Sequence, residues 1–126
     1  MMPRVLVVDD DPSYLEAASV LLAQDDRIEV VGRARDGRDA LTQAAALKPD
    51  VVLMDAEMPV LDGLEATRRL RRLLPSTPVV VVSGSDAPET WRRAREAGAY
   101  AVLPKSLADF ALAEAVFTAA SKANGR

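Results

Sequence analysis

The sequence predicts an α/β fold in which a five-stranded parallel sheet is covered by helices on both faces. Four short apolar runs are continuous rather than alternating, as expected of strands buried on both faces: Val5–Val8, Val51–Met54, Val79–Val82 and Ala101–Leu103. A fifth run, Ile28–Val31, is interrupted by Glu29 and is typical of an edge strand. Helical patterns separate the runs, since Leu15, Ala18 and Leu22 share one face. Strands that alternate with helices in this way favour a parallel sheet.

Two helix starts are marked by capping residues. Asp11 followed by Pro12 places a capping carboxylate before a first-turn proline. Asp62 and Glu65 have the spacing of a capping box. These residues predict that one helix begins near residue 12 and another near residue 63.

Composition excludes several classes of chemistry. The chain has 126 residues, which suits one domain, and it contains neither cysteine nor histidine. Disulfides, thiolate zinc sites and histidine-dependent triads are therefore excluded. The net charge of −3 argues against nucleic acid as the main partner. No apolar run approaches the roughly 20 residues that span a bilayer, and the start lacks a signal-peptide pattern, so we expect a cytoplasmic protein without membrane contact.

Polar residues follow the predicted strands at their carboxyl ends, where parallel sheets bind ligands. These residues come from four separate segments and should meet at one rim of the sheet: Asp9, Asp10, Asp55, Ser83 and Lys105. Carboxylates held together repel one another unless a cation intervenes. Magnesium suits such a site, because it uses few carboxylates together with waters and phosphate oxygens. The rim therefore predicts Mg²⁺-dependent phosphoryl transfer, with Asp55 as the candidate nucleophile.

Four segments extend this prediction to a family: "VLVVDDD", "PDVVLMDAEMPVLDGLEATRRLR", "PVVVVSGSD" and "GAYAVLPKS". In this order and spacing, over almost the whole chain, they resemble the receiver domain of two-component response regulators. The wording is most like receivers that precede helix-turn-helix output domains. The resemblance implies a flavodoxin-like, doubly wound sheet in the strand order 2-1-3-4-5 with five helices.

The resemblance also implies roles for individual residues. Asp55 is similar to the phospho-acceptor, Asp10 to the direct Mg²⁺ ligand, and Asp9 to a ligand acting largely through water. The backbone carbonyl of Glu57 would complete the protein ligands, and Mn²⁺ could replace Mg²⁺. Ser83 and Lys105 resemble the hydroxyl and the lysine that contact the phosphoryl group, whereas Asp11 is left to cap a helix.

The chain departs from the family pattern at two positions. Val102 stands where the family usually has a tyrosine or phenylalanine, and Tyr100 lies two residues earlier, on the same predicted strand face. The usual ring movement is therefore either absent or carried in altered form by Tyr100. Glu57 adds a carboxylate beside the acceptor, and with Ser85 it occupies a position that influences hydrolysis of the acyl phosphate.

The last predicted helix is apolar on more than one stripe. Phe110 and Phe117 share one stripe, and Leu112 and Val116 lie on another. A helix that packs one side on a sheet needs a single stripe somewhat over 100° wide. The surplus predicts either a partner surface, such as a homodimer contact, or a helix broadly buried under its neighbours. The surface of helix four and strand five is a second candidate for dimerisation.

We therefore expect residues 1–121 to form a receiver domain and residues 122–126 a polar tail or the start of a linker. A sensor histidine kinase or a small phosphodonor would supply the phosphoryl group in a phosphorelay. Self-phosphorylation and self-dephosphorylation would be the only reactions. DNA would be reached, in transcription regulation, only through an output domain absent from this chain. Two alternatives are an unphosphorylated interaction module and a phosphatase with Asp9 as nucleophile and Asp11 as acid–base.

Overall fold

The computed structural model describes residues 2–107 and 109–125, and positions 123–125 are described by their backbone only. Five strands lie in these ranges: β1 (Arg4–Val8), β2 (Glu29–Ala34), β3 (Val51–Asp55), β4 (Val79–Ser83) and β5 (Ala101–Pro104). They alternate with five helices: α1 (Pro12–Ala23), α2 (Gly37–Leu47), α3 (Gly63–Leu73), α4 (Pro88–Glu96) and α5 (Asp109–Gly125).

The strands form one parallel sheet in the order β2-β1-β3-β4-β5, which confirms the predicted fold. The predicted edge strand is indeed at an edge, although it begins one residue later than expected and continues to Ala34. Register aligns the carboxyl ends, because Asp55 is opposite Val82 and Ser83 is opposite Pro104. The residues that follow the strands therefore meet at one rim.

Successive strand side chains enter two separate cores, which explains the continuous apolar runs. One core lies under α2, α3 and α4 and includes Leu6, Val8, Val52, Met54, Val79 and Val81. The other lies under α1 and α5 and includes Val5, Val7, Val51, Leu53, Val80 and Val82. The side chains of these strand segments are buried on one face of the sheet or the other. The polar functional residues therefore lie at the strand ends.

Both predicted helix starts are confirmed. The carboxylate of Asp11 accepts a hydrogen bond from the backbone N–H of Ser13 at 3.0 Å, and α1 begins at Pro12. The carboxylate of Asp62 accepts from the N–H of Glu65 at 2.9 Å. Caps of this kind stabilise a helix by about 1 kcal/mol each.

The last helix corrects part of the predicted partner surface. Leu112 and Val116 are buried, at 6% and 0% exposure, in the core shared with α1. They are therefore unavailable to a partner, and α5 is buried more broadly than one stripe because it packs on α1 as well as on the sheet. Phe110 is 78% exposed, and the guanidinium of Arg27 lies 4.4 Å from the centre of the half-buried Phe117 ring.

Helix α5 continues through Gly125, past the boundary expected at residue 121. Within the described part of the chain, every helix is too short or too polar to cross a lipid bilayer.

Candidate functional site

The predicted rim residues converge at the carboxyl ends of four strands. Asp9 follows β1, Asp55 and Ser83 end β3 and β4, and Lys105 follows β5. Backbone hydrogen bonds extend the sheet into this rim: the N–H of Asp9 donates to Ala34 O at 3.0 Å, and the N–H of Lys105 donates to Ser83 O at 2.9 Å. The sheet itself therefore fixes where these side chains begin.

Three carboxylates and one ammonium group form the centre of the rim. One carboxylate oxygen from each of Asp9, Asp10 and Asp55 lies within 4.8 Å of the others. Asp9 and Asp55 are almost fully buried, at 1% and 2% exposure. The Nζ atom of Lys105 lies 2.8 Å from Asp9 Oδ2 and 3.3 Å from Asp55 Oδ1. The lysine therefore points into the cluster and joins its two buried members.

This crowding changes the protonation of Asp55. Burial, followed by the negative charge of Asp9, raises the pKa of Asp55 to about 7, although Lys105 acts in the opposite direction. Burial disfavours the ammonium form of Lys105, but hydrogen bonding and charge from Asp9 and Asp55 outweigh it and raise the pKa of Lys105. One ammonium group does not balance three carboxylates, so the cluster keeps an excess of negative charge when all three are ionised.

The cluster fits a hard divalent cation. All donors are carboxylate oxygens, which Mg²⁺ prefers. Oxygens on one Mg²⁺ are about 2.9 Å apart when adjacent and about 4.2 Å apart when opposite, so three oxygens that lie within 4.8 Å of one another would move closer together to bind one ion. Asp9 Oδ2 is buried, and its partner among the described residues is the ammonium group of Lys105 at 2.8 Å. The N–H of Glu57 approaches Asp55 Oδ1 at 3.4 Å, which places this backbone beside the cluster.

Ser83 is at the rim, and its hydroxyl forms hydrogen bonds with Glu57 and Ser85. It donates towards Glu57 Oε2 at 3.1 Å or the Ser85 carbonyl oxygen at 3.2 Å. It also accepts from the Ser85 N–H at 3.0 Å. The two residues predicted to tune hydrolysis, Glu57 and Ser85, are thus both direct partners of Ser83. Their effect on phosphoryl lifetime stays a prediction.

Sequence reasoning missed three residues that support the site. The ring centre of Tyr14 lies 4.7 Å from Lys105 Nζ, a cation–π arrangement at the first turn of α1. Trp91 Nε1 donates to the Ser85 carbonyl oxygen at 3.1 Å. A β-carbon on Gly63 would overlap the carbonyl oxygen of Asp55, so only glycine lets α3 start so close to Asp55. The sequence offered one signal for the first of these, because Tyr14 lies in the first turn of the helix that begins directly after Asp9 and Asp10.

Tyr100 lies far along the sheet from Ser83. Its N–H donates to Val79 O at 2.8 Å, which places Tyr100 at the amino end of β5. Ser83 is four residues further along β4, about 13 Å away at 3.3 Å per residue. This distance weighs against an altered ring movement carried by Tyr100, whose role in switching stays a prediction. Val102 is 9% exposed and shares a core with Trp91.

The geometry weighs against the phosphatase alternative. That mechanism needs the carboxylate of Asp11 beside Asp9 as an acid–base group. Asp11 is instead exposed and caps α1 through Ser13, while its own N–H donates to Asp9 Oδ1 at 2.8 Å. Its backbone serves the cluster, but its side chain serves the helix.

Comparisons with known proteins agree with this geometry. A profile of the response regulator receiver domain matches residues 5–117. The chain is 42% identical over 111 residues to a protein-glutamate methylesterase/protein-glutamine glutaminase of Pseudomonas fluorescens Pf-5, covering 86% of this chain and 30% of that protein. It is 44% identical over 107 residues to a protein of the same name from Syntrophus aciditrophicus, covering 82% and 30%. The chain thus spans about a third of the length of these relatives.

Solved structures are similar over the full domain. The signal receiver domain of the putative response regulator NarL from Mycobacterium tuberculosis superposes with a TM-score of 0.90 at 35% identity, covering 99% of this chain and 98% of that one. The response regulator domain of Thermotoga maritima CheB gives a TM-score of 0.88 at 31% identity, covering 96% and 98%.

Proposed function

Because the chain belongs to the response regulator receiver domain family, and is therefore a phosphorylation-dependent switch of two-component signalling, we propose that Asp55 is its phospho-acceptor. One observation carries this assignment: Asp55 is buried at the end of β3, with Lys105 at 3.3 Å and the carboxylates of Asp9 and Asp10 beside it. Asp9 shares this burial and the contact with Lys105, but its Oδ1 atom already accepts a hydrogen bond from the N–H of Asp11 at 2.8 Å and its Oδ2 atom lies 2.8 Å from Lys105 Nζ.

The reaction would transfer a phosphoryl group to a carboxylate oxygen of Asp55. With a phosphorylated histidine as donor, the P–N bond breaks, a P–O bond to Asp55 forms, and the imidazole leaves with its electron pair and is protonated. Asp55 must be ionised to attack, so the protonated form favoured by its raised pKa is the inactive one. Phosphoryl transfer depends mainly on position and charge neutralisation, which the rim supplies.

Asp10, Asp9, Asp55 and the carbonyl of Glu57 would hold Mg²⁺, or Mn²⁺ in its place, and the ion would neutralise charge on the phosphoryl oxygens. Lys105 would move its ammonium group from Asp9 to the incoming phosphoryl group, because a more negative partner is then available. Ser83 would donate its hydroxyl proton to another phosphoryl oxygen. Tyr14 would keep the lysine over the rim during this exchange.

Receiver domains are phosphorylated by histidine kinases, and a sensor kinase is accordingly the proposed partner. A homodimer, if formed, would use the exposed Phe110 of α5 or the surface of α4 and β5. The methylesterase and glutaminase activities named for the relatives lie in proteins of which this chain matches 30%, so they are not assigned to it.

Intact mass after incubation with Mg²⁺ and a small phosphodonor tests the acceptor. Wild type should gain the mass of one phosphoryl group, and Asp55→Asn should gain none. Asp11→Asn is the matched control, because asparagine also caps helices and Asp11 is outside the proposed machinery. A gain in Asp55→Asn that equals wild type would refute the assignment.

A further inference from the structure

The Ser83 hydroxyl lies within hydrogen-bond distance of the Glu57 side chain. Its hydroxyl carries one proton, and the two acceptors within reach are the Glu57 carboxylate at 3.1 Å and the neutral Ser85 carbonyl at 3.2 Å. A hydrogen bond to an ionised acceptor is about twice as strong as a neutral one. The Glu57 carboxylate is therefore the preferred acceptor. Glu57 is an exposed residue, whereas Ser83 is buried.

The same bond leads into the first turn of α4. The N–H of Ser85 donates to Ser83 Oγ at 3.0 Å, and the carbonyl of Ser85 accepts from Trp91 Nε1 at 3.1 Å. Ser85 Oγ accepts from the N–H of Ala87, the residue before α4, at 3.1 Å. Whatever moves the Ser83 hydroxyl therefore also acts on the loop that positions Trp91.

We propose that Glu57 is a positioning residue that holds the Ser83 hydroxyl in the unphosphorylated state. When Ser83 is released from Glu57, the hydrogen bond of the Trp91 indole changes. This rests on the proposed function of Asp55. A phosphoryl group on Asp55 brings nearly two negative charges and three strong acceptor oxygens. It outcompetes Glu57 for the Ser83 hydroxyl and repels the Glu57 carboxylate. The Ser85 carbonyl then shifts, and the indole of Trp91 changes its hydrogen bond.

This arrangement explains why an aliphatic residue is tolerated at position 102. The aromatic side chain coupled to the hydroxyl is on α4, and Val102 packs in the same core as Trp91 rather than moving through it. The conformational change that follows phosphorylation would therefore begin at the amino end of α4, not at β5.

The hold on Ser83 can be tested without phosphorylation. Trp91 is the single tryptophan of the chain, so its indole N–H gives one resonance by NMR. In metal-free protein, Glu57→Ala should move this resonance, and Glu57→Gln, which keeps a neutral acceptor, should move it less. Asp86→Ala is the control, since it removes an exposed carboxylate of the same loop that does not bond to Ser83. An indole resonance unchanged by Glu57→Ala would overturn the proposal.

A double-mutant cycle separates the hold on Ser83 from simple charge repulsion. Beryllofluoride with Mg²⁺ serves as the phosphoryl mimic, and its dissociation constant is measured for wild type, Glu57→Ala, Ser83→Ala and the double variant. A hydrogen bond to a charged group is worth about tenfold in an equilibrium constant, so Glu57→Ala should bind three- to about tenfold more tightly. That gain should disappear in the Ser83→Ala background.

Equal gains in both backgrounds would show repulsion alone and would refute the hold. Ser83→Ala should also abolish the response of the Trp91 resonance to beryllofluoride, and a retained response would refute the link to α4. If wild type itself gained no phosphoryl mass, the acceptor assignment would fail instead, while the metal-free resonances would still decide whether Glu57 holds Ser83.

Discussion

Replacing Asp55 by asparagine should stabilise the metal-free protein, and the gain should depend on pH. The pKa of Asp55 is about 7 in the folded chain and 3.8 as an ordinary carboxyl group. Near three pKa units at 1.36 kcal/mol each give about 4 kcal/mol as the upper cost of ionising Asp55 in the fold. Solvent reaching the half-exposed Asp10 reduces this, so we expect about 2 to 4 kcal/mol at pH 8.

The direction follows from proton binding. Between pH 4 and 7 the folded protein keeps a proton on Asp55 that the unfolded chain has lost, so this group makes wild type less stable as pH rises. Above pH 7 the cost is complete, and near pH 4 it is absent. Asparagine resembles the protonated acid at every pH, so the stability difference between the variants should grow from near zero at pH 4 to its full value at pH 8.

Urea denaturation in EDTA at pH 4, 6 and 8 measures this difference directly. Asp86→Asn is the control for net charge, because it removes an exposed carboxylate and should change stability by less than about 0.5 kcal/mol. Added Mg²⁺ should stabilise wild type at pH 8 and have much less effect on Asp55→Asn. A variant no more stable than wild type at pH 8, or equally stabilised at pH 4, would refute the electrostatic reasoning.

Four further substitutions test other parts of the structure. Val60 has φ of 71° and is 77% exposed; because a β-branched residue is strained there, Val60→Gly should stabilise by about 0.5 to 1 kcal/mol in urea denaturation, and a loss would contradict the strain. Leu112→Ala should cost about 2 to 4 kcal/mol, whereas Phe110→Ala should stay within about 0.5 kcal/mol, and similar costs would contradict the observed burial. Gly63→Ala should cost about 1 to 3 kcal/mol and weaken the Mg²⁺-induced shift in melting temperature, and an intact shift would contradict the close approach to Asp55.

The rim was predictable because its residues sit at strand ends. Continuous apolar runs predicted strands buried on both faces, and parallel strands end at one edge, so Asp9, Asp55 and Lys105 had to meet. The two capping aspartates were predictable for a similar reason: each depends on residues two or three positions away, and such local hydrogen bonds can be inferred from spacing.

The contacts that sequence reasoning missed join residues far apart in the chain. Glu57 and Ser83 are 26 positions apart, and their hydrogen bond depends on a side-chain rotamer that no periodicity encodes. Leu112 and Val116 showed the same limit, because periodicity identified the stripe on which they lie but not that α1 covers it. Tyr100 and Val102 share a predicted strand face, but alternation of side chains does not give the distance of each residue from Ser83 along the strand.

The charges at the rim explain why this site needs a cation beyond its own lysine. Lys105 offers one positive charge between Asp9 and Asp55, while Asp10 adds a third carboxylate. Because the pKa of Asp55 is raised to about 7, the protonated form competes with the ionised form in metal-free protein, and a protonated carboxyl is a poor nucleophile. A cation among the same oxygens favours the ionised form, so metal binding and ionisation of Asp55, the proposed acceptor, are coupled. The repulsion among the carboxylates lowers the stability of the metal-free protein and is also the source of that coupling. Asp55→Asn is therefore expected to be more stable because it lacks the carboxylate whose ionisation the metal would favour.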